Sequence, residues 1–146
     1  MEKDDAEEVS KIVVSSFLHS VADHLSDEGI VTFMDISSAE SFRKRLNEDN
    51  LMFISESVDG INGIVELKEG RHVAMMFVSP EMQCMGIGRE LIEEALKYSR
   101  TDSVTVSASL TSVIAYEKYG FEIAGPEEEK QGLRYRPMKI ELNNTP

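Results

Sequence analysis

The order of apolar and polar positions divides the chain into stretches with two different periods. Over residues 6–25, Val9, Ile12, Val13, Phe17, Val21 and Leu25 fall on one face, with Glu7, Glu8, Lys11, Asp23 and His24 mostly elsewhere. That spacing predicts an amphipathic helix, with Asp4 or Asp5 as its cap. Asp27-Glu28-Gly29 breaks the pattern, a short apolar piece runs from Ile30 to Ile36, and Ser37 or Ser38 caps a second helix through about Glu48. The period then shortens. Leu51–Val58, Gly63–Lys68 and His72–Val78 read as strands joined by turns at Asp59-Gly60 and Glu69-Gly70, an antiparallel meander.

The stretch from His72 to Lys97 organises the rest. Ser79-Pro80 ends the third strand, because proline has no N–H to give a ladder and biases its predecessor away from helix. Gln83-Cys84-Met85-Gly86-Ile87-Gly88 follows, and then a helix whose Ile87, Leu91, Ile92, Ala95 and Leu96 share one face. A helix start leaves N–H groups unpaired and carries partial positive charge, and glycines let a ligand approach that backbone. The arrangement is an anion site, most plausibly for phosphate. Neither common nucleotide loop matches. A dinucleotide fingerprint needs glycine at 91, where the residue is Leu, and a Walker loop needs Lys-Ser/Thr where Arg89-Glu90 stands.

Beyond that helix, Ser103–Ala108 alternates as a strand, and Leu110–Tyr119 is a short helix ended by Gly120 as a left-handed cap. Phe121–Ala124 and Arg134–Leu142 read as a final strand pair around the polar loop Gly125–Gly132, in which Glu127-Glu128-Glu129 is a solvated turn. Asn143–Pro146 is a frayed tail. Residues 1–146 make one α+β domain with a mixed, mostly antiparallel sheet and helices on both faces.

Net charge of −12 removes nucleic acid and anionic membranes from the partner list, since both reward cations. A cationic substrate such as an amine would be drawn in, although solubility alone also explains the charge. No apolar run reaches membrane-crossing length, and Met-Glu-Lys-Asp-Asp lacks signal-peptide chemistry, so a cytoplasmic location is expected. The single cysteine, Cys84, excludes an internal disulfide framework.

The segment Gln83–Gly88 resembles the acetyl-CoA loop of the GNAT N-acetyltransferase superfamily, Gln/Arg-x-x-Gly-x-Gly/Ala, flanked by Phe-Val-x-Pro before it and Arg-x-Leu-Ile after it. Tyr116-Glu-Lys-Tyr-Gly-Phe121 resembles the later Tyr-Glu-Lys-x-Gly-Phe block of the same family. The resemblance implies the GNAT acyl-CoA N-acyltransferase fold, with one departure. The family's strand before the first helix is missing or vestigial here, leaving a sheet edge open to pairing with another subunit in a homodimer.

It also implies an activity, acetyl transfer from acetyl-CoA to a primary amine. Backbone N–H groups from Cys84, Met85, Gly86, Ile87, Gly88 and Arg89 grip the pyrophosphate, while the Phe77–Val78 strand end pairs with the pantetheine arm and serves the oxyanion. Met85 stands where relatives often carry a basic residue, which leaves Arg89 as the nearest cation. Tyr116 aligns with the family's general acid, and Ser109 with a polar residue that often contacts the cofactor. Two candidates remain for the base. His72 falls where the histone-acetyltransferase branch has its glutamate and titrates near neutral pH, and Glu66 sits on the neighbouring strand; an ordered water chain would need neither. His19 and His24 read as surface residues, no metal-site pattern is present, and oxidation of Cys84 could gate the loop. Transfer is direct, because the only cysteine lies in the phosphate loop. The acceptor, a small molecule or a peptide, is chosen by the first two helices and the last strand loop. The alternative is a module that binds or senses acyl-CoA without turnover.

Overall fold

A computed structural model describes residues 1–20, 26–83 and 85–142, with no account of the Ser20 side chain. The readings of Val21, Asp23, His24, Leu25, Cys84 and the tail 143–146 lie outside those residues. A 3-10 turn, Lys3–Asp5, leads into α1 (Ala6–Ser20), and its cap is reciprocal, with the Glu2 N–H donating to the Asp5 carboxylate at 2.8 Å. Two helices follow, α2 (Asp27–Ile36) and α3 (Ala39–Leu46).

Asp27-Glu28-Gly29 is not a break. Ser26 caps α2, its Oγ accepting from Gly29 N–H at 3.2 Å, and two acidic residues in the first turn suit the positive end of the helix. Ser38 caps α3 in the same way, accepting from Ser41 N–H at 3.1 Å.

The strands are β1 (Asn50–Ser57), β2 (Gly60–Lys68), β3 (His72–Val78), β4 (Ser103–Ser109), β5 (Glu122–Ile123), β6 (Glu128–Lys130) and β7 (Leu133–Glu141). The sheet order is β1-β2-β3-β4-β7-β5, with β6 also paired to β7. Every pairing is antiparallel except β3 with β4, the pair joined through α4 (Ile87–Leu96). The short helix α5 spans Val113–Lys118. Glu128–Lys130, expected as a loop, instead pairs with Leu133–Tyr135 in a tight hairpin, with the Glu128–Lys130 side chains left in solvent.

Two apolar clusters lie on the two faces of the sheet. One joins α4 and α5 to Val65, Leu67, Val73, Val106 and Met138, and the other joins α1, α2 and α3 to Met52, Ile64 and Met75. Strand β2 is buried from Ile61 to Leu67 because helices cover both its faces. Strand β4 alternates instead, burying Val104, Val106 and Ala108 while its Ser and Thr residues face the other way. Helix α4 sits close to β2 because Gly63 has no side chain; a Cβ there would come within 3.0 Å of Leu91 Cδ1 and 3.3 Å of Ile87 Cγ2.

Candidate active site

The site begins with one extra residue in β3. In the β2–β3 ladder Glu66 pairs with Met75 and Leu67 with Val73, so Ala74 has no opposite number. Such a bulge bends the strand and raises its local twist. It also shifts the side-chain alternation by one: Val73 packs in the α4 cluster and Met75 in the α1 cluster. The parallel ladder with β4 covers only His72–Thr105 and Val73–Val106. Beyond the bulge the two strands part, and a cavity of about 740 Å³ opens between them, lined by Val78 and Ser109 among others.

Backbone polar groups of β3 face this gap. Ser79 N–H donates to Asn62 C=O at 2.8 Å, so the adjoining Gly63–Val78 pair is a non-hydrogen-bonded one. By the alternation of an antiparallel ladder, the N–H and C=O of Val78 then turn away from β2. The Val78 carbonyl accepts from Ser16 Oγ at 3.0 Å and from Gln83 Nε2 at 3.2 Å. These two bonds hold the Val78–Ser79 peptide, and the Val78 N–H, in the preceding peptide, turns toward the gap by the ladder alternation alone. Ser16 is 1% exposed on α1, a site residue absent from the sequence reading. Its signal was a lone hydroxyl on the Val9–Val13–Phe17 stripe, since a buried hydroxyl demands a partner.

At the other end of the cavity stands the start of α4. Gly86 caps it with φ 83°, a left-handed conformation that favours glycine, and has no side-chain cap. A Cβ built there meets nothing within 4 Å, whereas a side chain at Gly88 would run into the Tyr119 hydroxyl. Among the described residues, the first N–H of α4 to find a helical partner is that of Glu90, on Gly86 C=O at 3.1 Å, and the amides before it belong to the helix start, whose N–H groups lack intrahelical acceptors. Gly86, Gly88 and Arg89 line the cavity. Ile87 packs into the core and Met85 is exposed; neither side chain lines it, leaving to each only the backbone role expected of this loop.

Arg89 bridges the two helices. Its Nη2 donates to Lys118 C=O at 2.7 Å and its guanidinium lies 5.6 Å from the Tyr119 ring centre. Among the described residues, the charged side chains lining the cavity are Arg89, Lys118 and Arg134, all cationic in a chain of net charge −12.

Tyr116 lines the cavity from α5 and is 4% exposed. Tyr119 and Phe121 meet its ring edge-on at 5.8 and 5.4 Å. Burial, with a further push from Tyr119, raises its phenol well above the ordinary value, so the hydroxyl stays protonated. Ser109 also lines the cavity, its Oγ 2.6 Å from that of Ser112.

Neither candidate base joins this group. His72 begins β3, about 20 Å from Val78 at the rise of an extended strand. Its Nδ1 is 2.7 Å from Thr105 Oγ1, and burial, then Arg71 and Lys68, lower its pKa. Glu66 lies under α3, 1% exposed, with Arg45 Nε at 3.2 and 3.0 Å from its two oxygens. Burial raises its pKa and Arg45 opposes the rise. A buried carboxylate held by a guanidinium is a structural pair, and neither residue lines the cavity. Among the described residues, no cluster of His, Cys, Asp and Glu is placed to hold a metal ion, and no helix is long and apolar enough to cross a membrane.

Residues 21–142 match the acetyltransferase (GNAT) domain family. The peptidyl-lysine N-acetyltransferase YjaB of Salmonella typhimurium is 32% identical over 63 residues, covering 42% of this chain and 43% of that protein. The chain thus spans less than half the length of the curated relative it matches. Among solved structures, a GCN5-related N-acetyltransferase from Rhodopseudomonas palustris has a TM-score of 0.84 at 23% identity, covering 97% of this chain and 92% of its own. The PaiA N-acetyltransferase of Thermoplasma acidophilum, solved with coenzyme A, gives 0.78 at 20% identity over 97% and 95%. These structural likenesses establish a shared fold.

Proposed function

Because the chain belongs to the GNAT acetyltransferase family, we propose that its β3–β4 gap holds acetyl-CoA and that the protein transfers the acetyl group directly to a primary amine. One observation carries the reading: a single cavity unites a strand edge freed by a bulge with an uncapped, glycine-opened helix start. The residues fit such a donor. The N-terminal amides of α4 and the cations Arg89 and Lys118 suit phosphate oxygens, and the outward peptides of Met76 and Val78 suit an extended amide-bearing arm. Acetyl-CoA supplies an activated thioester.

The chain supplies the rest. Val78 N–H is aimed to donate to the thioester oxygen as negative charge builds there, and Ser16 and Gln83 steady the strand end beside it by holding the Val78 carbonyl. Tyr116 donates a hydrogen bond to the departing sulfur. Its raised pKa lies above that of a thiol, ordinarily about 8.5, so the phenol stabilises the thiolate chiefly by hydrogen bonding. The amine loses its proton to solvent water, since His72 and Glu66 do not border the cavity. The test is thiol release from acetyl-CoA against a panel of primary amines. Amine-dependent release with matching loss of free amine is expected, and release indifferent to every amine would refute transfer.

A second reading gains support from those same two residues. With neither His72 nor Glu66 at the cavity, a module that holds acyl-CoA without turnover is chemically consistent. Strong thermal stabilisation by acetyl-CoA together with no turnover across the panel would select it.

A further inference from the structure

The cavity has a second wall. On the side opposite α4 and α5 it is formed by Phe17 of α1, Phe33 and Ile36 of α2, Phe77 of β3, and Leu133 and Tyr135 of β7. Phe17 and Phe33 are stacked, with ring centres 3.8 Å apart and 6° between planes. Phe77 meets Phe33 at 5.4 Å and 71°. Helix α2 and the β6–β7 hairpin meet directly behind this wall. Thr32 Oγ1 donates to Gln131 C=O at 2.8 Å, and Gly132 packs so closely on the Gly29 backbone that no Cβ would fit. Arg134 is the one charged residue this hairpin gives to the cavity among the described residues, its Nε 3.5 Å from Glu129.

Resting on the acetyl-transfer reading, we infer that the acceptor is a monoamine carried on an aromatic or branched aliphatic body. Its ring or chain lies against Phe33, Phe77, Ile36 and Leu133, and its nitrogen points through the gap toward Val78. Aromatic surfaces reward edge-to-face and offset contact with another ring. A polyamine fares badly here. Among the described residues the cavity lining gives its second ammonium no carboxylate to pair with, the charged side chains there being Arg89, Lys118 and Arg134. The transfer forms a C–N bond as the C–S bond breaks; the amine gives one proton to water, and the sulfur leaves as the thiolate of coenzyme A.

The test compares phenethylamine with spermidine as acceptors for the intact protein, reading thiol release from acetyl-CoA. The expected result is a kcat/KM at least tenfold higher for phenethylamine. Ile36→Asp places a carboxylate on this wall at a position 39% exposed, so folding should tolerate it. It should lower the phenethylamine-to-spermidine ratio at least tenfold. Equal or better use of spermidine by the unaltered protein would overturn the inference and leave acetyl transfer standing. Turnover of neither amine, in protein that acetyl-CoA still stabilises against heat, would overturn this inference, and the transfer reading falls with it only when the whole panel of primary amines also gives no turnover.

Discussion

Strand β3 is bonded differently at its two ends. At His72 it is a full member of the sheet, paired with Lys68 of β2 and Thr105 of β4. His72 there is kept neutral by burial and by the cations Arg71 and Lys68, and the Glu66 carboxylate is paired with Arg45. At Val78 the strand keeps only β2, because the unpaired Ala74 has turned it from β4. That end has no acid or base of its own, yet it holds the cavity. The contrast separates residue types that can do chemistry from the place where chemistry is possible. In the proposed site, backbone N–H groups of Val78 and the start of α4 act beside the side chains of Tyr116, Arg89 and Lys118.

The largest effect should come from closing the α4 end of the cavity. Gly88→Val drives a side chain into Tyr119 and displaces the first amides of α4. At a hundred times its dissociation constant acetyl-CoA adds about 2.7 kcal/mol to the native state, a shift on the order of 5–10 °C. In Gly88→Val, with helix content by circular dichroism unchanged, the shift should fall below about 1 °C. Next comes Tyr116→Phe. If its hydroxyl steadies the leaving sulfur, kcat should drop by roughly a hundredfold, as when one preorganised hydrogen-bond donor to a developing anion is removed, with the acetyl-CoA KM nearly unchanged. An equal rise in KM would make Tyr116 a packing residue.

A smaller loss sharpens the contrast further. Ser16→Ala removes one of the two donors on the Val78 carbonyl, a net hydrogen bond worth about 1 kcal/mol. Turnover should fall about fivefold while acetyl-CoA stabilisation persists. The smallest effect belongs to the other end of the strand. His72→Gln should leave turnover within about twofold at neutral pH. It should instead alter pH-dependent stability. The folded pKa of His72 lies below its unfolded value, so the stability gained by keeping it neutral is present above about pH 6.5. That stability is lost as pH falls through the folded pKa. The urea midpoint of His72→Gln should therefore decline less between pH 7 and pH 5 than that of the parent.

The β3–loop–α4 unit was legible in the sequence because its signals are local. Proline ends the strand, glycine takes the left-handed cap at Gly86, and Leu91, Ile92 and Ala95 carry the helical period. Other features depended on partners far along the chain. Glu66 looks like a base until Arg45, distant in sequence, occupies both its oxygens. Matching His72 to the family's glutamate ignores the bulge at Ala74, beyond which β3 leaves its parallel ladder with β4. Asp27-Glu28-Gly29 reads as a breaker by residue type, yet the cap at Ser26 makes it a first turn. Glu128–Lys130 has no apolar alternation to betray a strand, because both its faces meet water and only its backbone is used.

The central claim is that the donor binds along the Val78 end of β3 and the start of α4. Backbone amide chemical shifts during a coenzyme A titration test it most directly. The account predicts large changes at Val78, Gly86, Gly88 and Arg89, with His72 and Glu66 left in place. Changes centred on His72 and Glu66, or none at Val78 and the α4 amides at saturating coenzyme A, would contradict it.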